Sequence, residues 1–378
     1  MNRPSDLAPF PHSEGISAYE LDASSGAMAL LFEEPAARLE SPTFLTVHPS
    51  RNVLYAVSSG TLGAPGPEDV LSAYRIRPDG RLELISWLAS GGKNPCFVTV
   101  HPNEKWLFAP NYSSGSTLCV RLHENGELAE SQLLSHAYLP PDPNQSKAVL
   151  QRLDASHPHC CVPSPDGHFL IICDLGSNGL WSCEPASNAS GWQFIPGRNF
   201  TPAPAGSGPR HAVFSQRGDR LYVFNELSCT LDLYGFHSRT GELTQTASLP
   251  VLRSAPNGNS VPAQCAEIVL HPNGRFLFLS MRHADTISVF RETEGGVEFI
   301  QQLPAGGEIP RFITFDPTGR LLLACCQKTG RIFSFWVNPE SGHLTPTGFS
   351  VFAPWCAALA FSHDEKEGND AENPSLRH

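Results

Sequence analysis

Residues 42–58 read PTFLTVHPSRNVLYAVS, and residues 209–225 read PRHAVFSQRGDRLYVFN. Each stretch contains a first apolar run, a turn seven or so residues on, and a second apolar run. The same pattern begins at five further positions: Pro95, Pro158, Cys265, Pro310 and, in shortened form, Pro354. Successive copies begin between 44 residues (Pro310 to Pro354) and 63 residues (Pro95 to Pro158) apart. Such intervals are typical of the four-stranded blades of a β-propeller.

A second pattern fills the intervals between these copies. It consists of an alternating strand, a turn rich in Asp, Asn and Gly, and another strand, as in LSAYRIRPDGRLELI at residues 71–85. The alternation with period two and the turn residues predict a β-hairpin. Seven copies of this hairpin pattern occur, which matches the number of copies of the first pattern.

The chain begins with a hairpin copy, from Ile16, and ends with a first-pattern copy, from Pro354. We therefore predict an all-β fold, a seven-bladed β-propeller with four-stranded blades, in which N-terminal and C-terminal strands share one blade and close the ring. Closure hides sheet edges that would otherwise promote aggregation. An open β-solenoid is the alternative, and it would leave both ends unpaired. The propeller is expected to span residues 1–362.

Two segments depart from the repeat. Residues 136–156 are rich in Pro, Asp, Asn and Gln, and we expect them to form a loop over one face, where repeat proteins often bind ligands. Residues 363–378 lack apolar periodicity, which predicts a disordered tail.

Composition limits the classes of function. The formal net charge is −11 and no run of Lys or Arg occurs, which argues against nucleic-acid or membrane-surface partners. No signal peptide or membrane span is evident, so we expect a soluble cytoplasmic protein, a monomer or weak homo-oligomer. The eleven cysteines are expected to be free thiols. No metal-binding spacing or Gly-rich phosphate loop is found, so we expect neither a metal nor a cofactor.

In a propeller the first strand of each blade lines the central channel. Residues equally distant from the turn of a hairpin lie opposite each other, so counting from each turn identifies neighbours at one mouth of the channel. Arg210 and Glu226 are each eight residues from the turn at Gly218, so they should face each other. The same arithmetic places His159 opposite Asp174. Adjacent blades should therefore bring seven ionisable residues towards one mouth: His159, Asp174, Arg210, His211, Glu226, Arg282 and Arg311.

These residue types are suited to acid–base catalysis and to the binding of anions. An imidazole beside a carboxylate is suited to general acid and base catalysis, and convergent arginines are suited to a phosphate, a carboxylate or a developing oxyanion. A ring of rim salt bridges with a purely structural role is an equally open interpretation.

Four strings resemble the seven-bladed β-propeller lactonase family, which includes propeller-type 6-phosphogluconolactonases and carboxy-cis,cis-muconate cyclases. They are GKNPCFVTVHPNEKWLFAPNYSSGS (92–116), SHPHCCVPSPDGHFLIICDLG (156–176), GPRHAVFSQRGDRLYVFNEL (208–227) and AEIVLHPNGRFLFLSMRHADTISVF (266–290). The resemblance implies that His159 and Glu226 are catalytic, together with the substrate-binding arginines Arg210 and Arg282. We expect further substrate contacts from five neighbouring residues: Asp174, His211, Asn225, Arg311 and Asn111.

The resemblance also implies an activity. It is hydrolysis of a sugar-phosphate lactone, most simply 6-phosphogluconolactone to 6-phosphogluconate in the pentose phosphate pathway, with Glu226 and His159 deprotonating water. A muconate-type cyclase would use the same residues on a carboxylated substrate, and a non-enzymatic interaction propeller is the alternative from a different class. The expected partner is thus a small lactone that carries a phosphate or a carboxylate.

Overall fold

The computed structural model describes residues 15–34, 41–59, 69–187, 191–197, 199–252 and 264–362. The predicted tail at residues 363–378 lies outside this part of the chain. Within it the structure is built of strands that run up and down in consecutive antiparallel order. No helix in these ranges has the length and apolar character needed to cross a bilayer.

The strands form six blades and one two-stranded sheet, here called the closing sheet. The closing sheet contains β1 (Ile16–Leu21) and β2 (Met28–Glu34), blade 1 contains β3 (Pro42–Val47), β4 (Val53–Ser58), β5 (Val70–Ile76) and β6 (Leu82–Ala89), and blade 2 contains β7 (Thr99–Val100), β8 (Trp106–Asn111), β9 (Ser116–Leu122) and β10 (Leu128–Ser135). A short helix, α1 (Lys147–Leu150), precedes blade 3, which contains β11 (Pro158–Pro163), β12 (Leu170–Asp174), β13 (Gly179–Pro185), β14 (Trp192–Phe194) and β15 (Phe200–Pro202). Blade 4 contains β16 (Pro209–Phe214), β17 (Arg220–Asn225), β18 (Thr230–His237) and β19 (Glu242–Pro250), blade 5 contains β20 (Gln264–Leu270), β21 (Phe276–Arg282), β22 (Thr286–Thr293) and β23 (Gly296–Pro304), and blade 6 contains β24 (Pro310–Phe315), β25 (Leu321–Cys326), β26 (Arg331–Val337) and β27 (Leu344–Phe352).

Apolar clusters join each unit of the ring to the next. One cluster packs Ile171 and Cys173 of blade 3 against Leu221 and Val223 of blade 4, and corresponding clusters lie between the other consecutive blades. Two further clusters connect the closing sheet to blade 6 and, through Ile16, to blade 1. A sheet of this size cannot bury its apolar faces alone, so stacking in a ring supplies the core. The predicted all-β propeller with seven units is confirmed.

The closing unit differs in detail from the prediction. Residues 353–362 form no strand, although a strand was expected to begin at Pro354. Pro354 lacks a backbone N–H and Trp355 adopts a φ of 57°, so the chain turns where the strand was expected. The segment nevertheless reaches its partner, because Cys356 and Leu359 pack with Tyr19 of β1. Closure therefore depends on side-chain packing between the two ends of the described chain.

Histidines at the turn between the first two strands fasten some blades to their neighbours. His101 Nε2 lies 2.9 Å from the carbonyl oxygen of Gly167, and His271 Nε2 lies 2.9 Å from that of Gly319. In both rings Nδ1 accepts a backbone N–H from the residue two positions on. Each of these turn histidines thus contacts the corresponding turn of the next blade.

Candidate active site

A register shift recurs at the start of the inner strands and directs side chains into the channel. In blades 1, 3, 4 and 6 it falls at Thr43, His159, Arg210 and Arg311, which are left without a partner in the strand pairing. Blade 5 has its shift between Cys265 and Ile268. A β-bulge re-aims the side chain of the extra residue, and bulges are frequent beside active sites. The bulge residues of neighbouring blades thus meet at one mouth.

Glu226 is the centre of this mouth. Its Oε2 accepts a hydrogen bond from Arg210 Nε at 3.1 Å and forms a salt bridge with Arg282 Nη2 at 2.9 Å, and its Oε1 accepts a hydrogen bond from Arg152 Nη2 at 2.7 Å. The predicted contact between Arg210 and Glu226 is therefore present. The Arg210 guanidinium also donates to the carbonyl of Ala266, and Arg282 donates to that of Cys265 at 3.0 Å. These backbone contacts fix both guanidinium groups relative to the carboxylate.

The third arginine comes from the segment at residues 136–156. Arg152 follows α1, and the same Nη2 that binds Glu226 lies 3.2 Å from the hydroxyl of Tyr112. Tyr112 is held by His157, whose ring stacks on it at a centroid distance of 4.5 Å and an interplanar angle of 8°. The segment thus lies over the mouth, as predicted, and supplies a cation to it.

The arginines determine the ionisation of Glu226. Burial alone would raise the pKa of this carboxyl, but Arg282, Arg210 and Arg152 lower it from 4.5 to about 2. Glu226 is consequently a carboxylate throughout the neutral range. A carboxylate of such low pKa is a weak base, so its clear role is to hold the three guanidinium groups together.

Arg311 differs from these three arginines. Among the described residues its guanidinium has no hydrogen bond or ion pair, although it lines a cavity shared with Arg210 and Cys96. Burial and the neighbouring Arg210 and Arg282 lower its pKa to about 9, which leaves it protonated at neutral pH. A partly buried cation without a hydrogen bond or ion pair is costly, so this position is suited to an anionic ligand or to an oxygen on which negative charge develops.

The mouth carries an excess of positive charge. We call Arg152, Arg210, Arg282 and Arg311 the arginine cluster, and the buried carboxylates beside it in the described residues are Glu226 and Glu267. Asp154, two residues from Arg152, is exposed and paired with His157, so it is not counted with them. Four cations against two anions leave two positive charges, within a chain whose formal net charge is −11. The excess is therefore local to the channel mouth.

His159 is buried and neutral. Burial, followed by the fields of Arg210, His211 and Arg311, holds the pKa of His159 well below 6.5. Its Nδ1 lies 3.8 Å from the Cys96 thiol. No carboxylate of the described chain contacts this ring, so the predicted pairing of His159 with an acidic residue is wrong.

The histidine that does contact a carboxylate is His211. Its Nδ1 lies 2.7 Å from Glu267 Oε1, and both side chains are buried. The ring lies one residue further along the inner strand than Arg210 and is 5.1 Å from the His159 ring, in an edge-to-face arrangement. The structure thus provides an imidazole and carboxylate pair beside the arginine cluster, but with different partners from those predicted.

Aromatic rings fill the channel next to His211. Phe97 packs edge-to-face on the imidazole at a centroid distance of 5.2 Å, and Phe44 lies 4.5 Å from Phe97 and 5.5 Å from Phe312. These rings make an apolar layer one residue further from the mouth than the bulge residues. On this side the apolar packing excludes water from the charges at the mouth. The low dielectric there strengthens the interactions between those charges.

Asp174 was expected to face His159 and does not. Pro158 pairs with Asp174 in the sheet, and His159 is the bulge residue next to that pair. The Asp174 carboxylate instead accepts hydrogen bonds within its own blade, from the Ser156 hydroxyl at 2.6 Å and the Trp181 indole at 2.9 Å. It is fully buried, so we leave it out of the proposed substrate contacts.

Asn111 and Asn225 occupy the equivalent position in blades 2 and 4, and both are directed towards the third strand. Asn111 Nδ2 donates to the Ser116 hydroxyl at 3.1 Å, and Asn225 Nδ2 donates to the Thr230 hydroxyl at 2.9 Å. The predicted placement of these side chains at the mouth is wrong, because strand alternation gives that place to the following residues, Tyr112 and Glu226.

Sequence reasoning missed three members of the site: Arg152, Tyr112 and Glu267. Glu267 lies in the blade 5 bulge, and it is the third residue of CAEIVLHP (265–272), as His211 is the third residue of PRHAVFSQ (209–216). Comparing copies position by position would have signalled this charged residue in an otherwise apolar inner strand. Arg152 lies in a segment without periodicity, where no such comparison is possible. Within the described residues, no three His, Cys, Asp or Glu side chains form a group suited to a metal ion.

Comparison with known proteins bears on the family and the fold. The family described as "Lactonase, 7-bladed beta-propeller" matches residues 7–361. A 6-phosphogluconolactonase of Bacillus subtilis is 28% identical over 359 residues, covering 93% of this chain and 95% of that protein. Another 6-phosphogluconolactonase, from Formosa agariphila, is 28% identical over 336 residues, which cover 87% of this chain and 90% of that protein. The solved structure of a periplasmic gluconolactonase of Pseudomonas aeruginosa superposes with a TM-score of 0.80 at 29% identity, covering 91% of this chain and 93% of that one.

Proposed function

Because the chain belongs to the seven-bladed β-propeller lactonase family, we propose that it hydrolyses a sugar-phosphate lactone, 6-phosphogluconolactone, to 6-phosphogluconate. The observation that carries this substrate class is the excess of two positive charges in the arginine cluster. A phosphate monoester carries close to two negative charges at neutral pH and matches that excess. An unphosphorylated gluconolactone would leave it uncompensated.

The two ends of the substrate are assigned by the exposure of the arginines. The side chains of Arg152 and Arg282 are 34% and 13% exposed to solvent, whereas that of Arg210 is 3% exposed. We assign the phosphate to Arg152 and Arg282, since guanidinium groups bind phosphate oxygens with charge-assisted hydrogen bonds. Arg210 and Arg311, which line the adjoining cavity, then face the lactone carbonyl.

This arrangement stabilises charge as it develops. When water adds to the lactone carbonyl, the oxygen becomes an oxyanion, and the guanidinium groups of Arg210, held by Glu226, and of Arg311 favour that state over the neutral carbonyl. Glu226 keeps Arg210 in place through its salt bridge and does not have to change protonation state. Removing one such oxyanion contact costs about 10²- to 10³-fold in turnover.

The test is lactone opening by purified protein, measured above the spontaneous rate. We expect turnover of 6-phosphogluconolactone with a kcat/KM at least about 100-fold above that of glucono-1,5-lactone, equivalent to a charge-assisted contact or two. Equal rates on both lactones would show that the phosphate does not contribute to recognition of the substrate. Turnover of a carboxylated muconate in place of either lactone would assign the cyclase activity, and inactivity on all three would favour a non-enzymatic interaction propeller. Cytoplasmic location and a monomeric or weakly oligomeric state stay predictions.

A further inference from the structure

The channel holds a buried acid and base pair that the steps above do not use. His211 Nδ1 lies 2.7 Å from Glu267 Oε1, with only 3% and 7% of the two side chains exposed. The carboxylate is fixed in turn, because its Oε1 accepts the backbone N–H of Ile268 at 3.1 Å. The backbone N–H of Glu267 is bound to the Ser280 hydroxyl at 3.1 Å. Glu267 is thus held by β20 and β21, and it orients His211, which lies on β16.

The contact with Glu267 decides the tautomer of His211. A carboxylate can only accept, so the proton of the neutral imidazole resides on Nδ1 and the lone pair is on Nε2. Burial lowers the pKa of His211 below 6.5, although Glu267 opposes that shift, so the ring is neutral at pH 7. Nε2 is buried and has no hydrogen-bond partner among the described residues. A buried acceptor without a partner calls for an explanation, and a reacting water is one.

The other candidates for the base are less suited. Glu226 has a pKa of about 2 and is held by three arginines. His159 has no carboxylate to fix its tautomer, and its Nδ1 has the Cys96 thiol at 3.8 Å as its neighbour. His211 alone among these three groups combines a neutral ring, an orienting carboxylate and a place beside the narrow cleft lined by Arg210 and Arg311. The cleft is too narrow for a water molecule in this structure, so the proposed step requires side chains there to move apart when substrate binds.

We propose that His211 is the general base of lactone hydrolysis and that Glu267 is its positioning residue. His211 Nε2 takes a proton from water while the water oxygen bonds to the lactone carbonyl carbon. The tetrahedral intermediate collapses with cleavage of the bond between that carbon and the ring oxygen, which receives the proton back from His211. The products are a hydroxyl group and a carboxylic acid, which ionises to the carboxylate. The inference rests on the proposed lactonase function.

Several charged or titratable groups face the His211 imidazole from the elements packed around it. They are Glu267 on β20, Arg210 on β16 next to His211 itself, Arg311 on β24, His159 on β11 and Cys96 before β7. Glu267 raises the pKa of His211, and the arginines lower it. Removing the carboxylate should therefore move protonation of His211 to lower pH.

The experiment is the pH dependence of kcat/KM for 6-phosphogluconolactone in wild type and four variants. In wild type the rate should fall on the acid side as His211 is protonated. We expect His211→Asn to lose about 10²- to 10⁴-fold and the acid limb with it. Glu267→Gln should lose at least about tenfold and shift the remaining acid limb to lower pH. His168→Asn, at an exposed turn histidine, is the control and should behave as wild type.

His159→Asn separates the two imidazoles. If it abolishes the acid limb while His211→Asn retains the limb and most of the rate, the proposal is overturned and His159 is the base. If Glu267→Gln changes thermal stability alone and leaves the pH profile unmoved, Glu267 has a structural role only, which also contradicts the proposal.

A second readout does not depend on turnover. The ¹⁵N resonances of His211 in the wild-type protein, assigned by comparison with His211→Asn, should show a protonated Nδ1 and an unprotonated Nε2 at pH 7. The opposite tautomer would overturn the inference even in an active enzyme. An enzyme inactive on every lactone that shows the expected tautomer would instead contradict the proposed function.

Discussion

At the scale of single residues, Glu226 shows how a buried carboxylate can organise a binding site without reacting in it. It forms salt bridges with Arg152, Arg210 and Arg282, at 2.7, 3.1 and 2.9 Å. Losing one partner of such a buried ion pair costs about 3–5 kcal/mol, because the remaining charges are left uncompensated. Here three guanidinium groups would lose their common counter-ion at once.

The depressed pKa of Glu226 gives a prediction for acid stability. Its folded pKa of about 2 lies below the ordinary value of 4.5, so the stabilisation is present above pH 4.5 and is lost as the pH falls towards 2. We expect Glu226→Gln to be less stable than wild type at pH 6 by urea unfolding, and the difference to shrink between pH 4.5 and 2. Glu130→Gln, at an exposed residue on β10, is the control. A difference in the free energy of unfolding that is constant across this range would contradict the account.

At the scale of elements, the bulges in the inner strands of blades 1, 3, 4, 5 and 6 position the site. The repeat and its turns could be read from the sequence, because apolar alternation and turn residues report on strands directly. The contact of Arg210 with Glu226 also followed from counting. Counting failed for Asp174, since the extra residue in the blade 3 bulge changes which neighbour faces the channel. It failed for Asn111 and Asn225 because strand alternation directs their side chains to the third strand. Bulges leave no periodic signal, and so the partner of His211 was missed as well.

The segment at residues 136–156 allows a test at this scale. Arg152→Gln removes the phosphate contact assigned to this segment, and a charge-assisted hydrogen bond contributes about 1.5–3 kcal/mol, or roughly 10- to 100-fold. We expect kcat/KM for 6-phosphogluconolactone to fall by that factor, mainly through KM, while kcat/KM for glucono-1,5-lactone changes little. Lys147→Gln, on α1 of the same segment and exposed, should have no effect. Equal losses on both lactones would mean that Arg152 does not read the phosphate.

At the scale of the whole molecule, the two ends of the described chain meet at one seam. The closing sheet has two strands, and residues 353–362 lie along it without forming a third. The Tyr19 hydroxyl donates to the Phe352 carbonyl at 3.0 Å, and Cys356 lies 2.9 Å from Cys325 of blade 6, measured between the sulfurs. The order of the sequence patterns predicted this meeting of the ends, but the turn at Pro354 and Trp355 could not be read from it.

Truncation tests the contribution of the seam to stability. A chain that ends at Phe352 loses the apolar contacts of Cys356, Leu359 and Phe361 with β1 and blade 6. We expect its Tm to fall by at least about 5 °C, since each 1 kcal/mol lost lowers the Tm by a few degrees in proteins of this size. A chain that ends at Ser362 keeps these contacts and should melt as the full chain does. Identical melting of both truncations would show that residues 353–362 do not close the ring.

The central claim is that the arginine cluster holds a phosphate dianion at the channel mouth. Calorimetric titration of the wild-type protein with 6-phosphogluconate and with gluconate tests it most directly, because both are stable carboxylates that differ only in the phosphate. We predict one site per chain for 6-phosphogluconate, with an affinity at least about 100-fold higher than for gluconate, or some 2.7 kcal/mol. Equal affinities for the two sugar acids, or no binding of 6-phosphogluconate, would contradict the account.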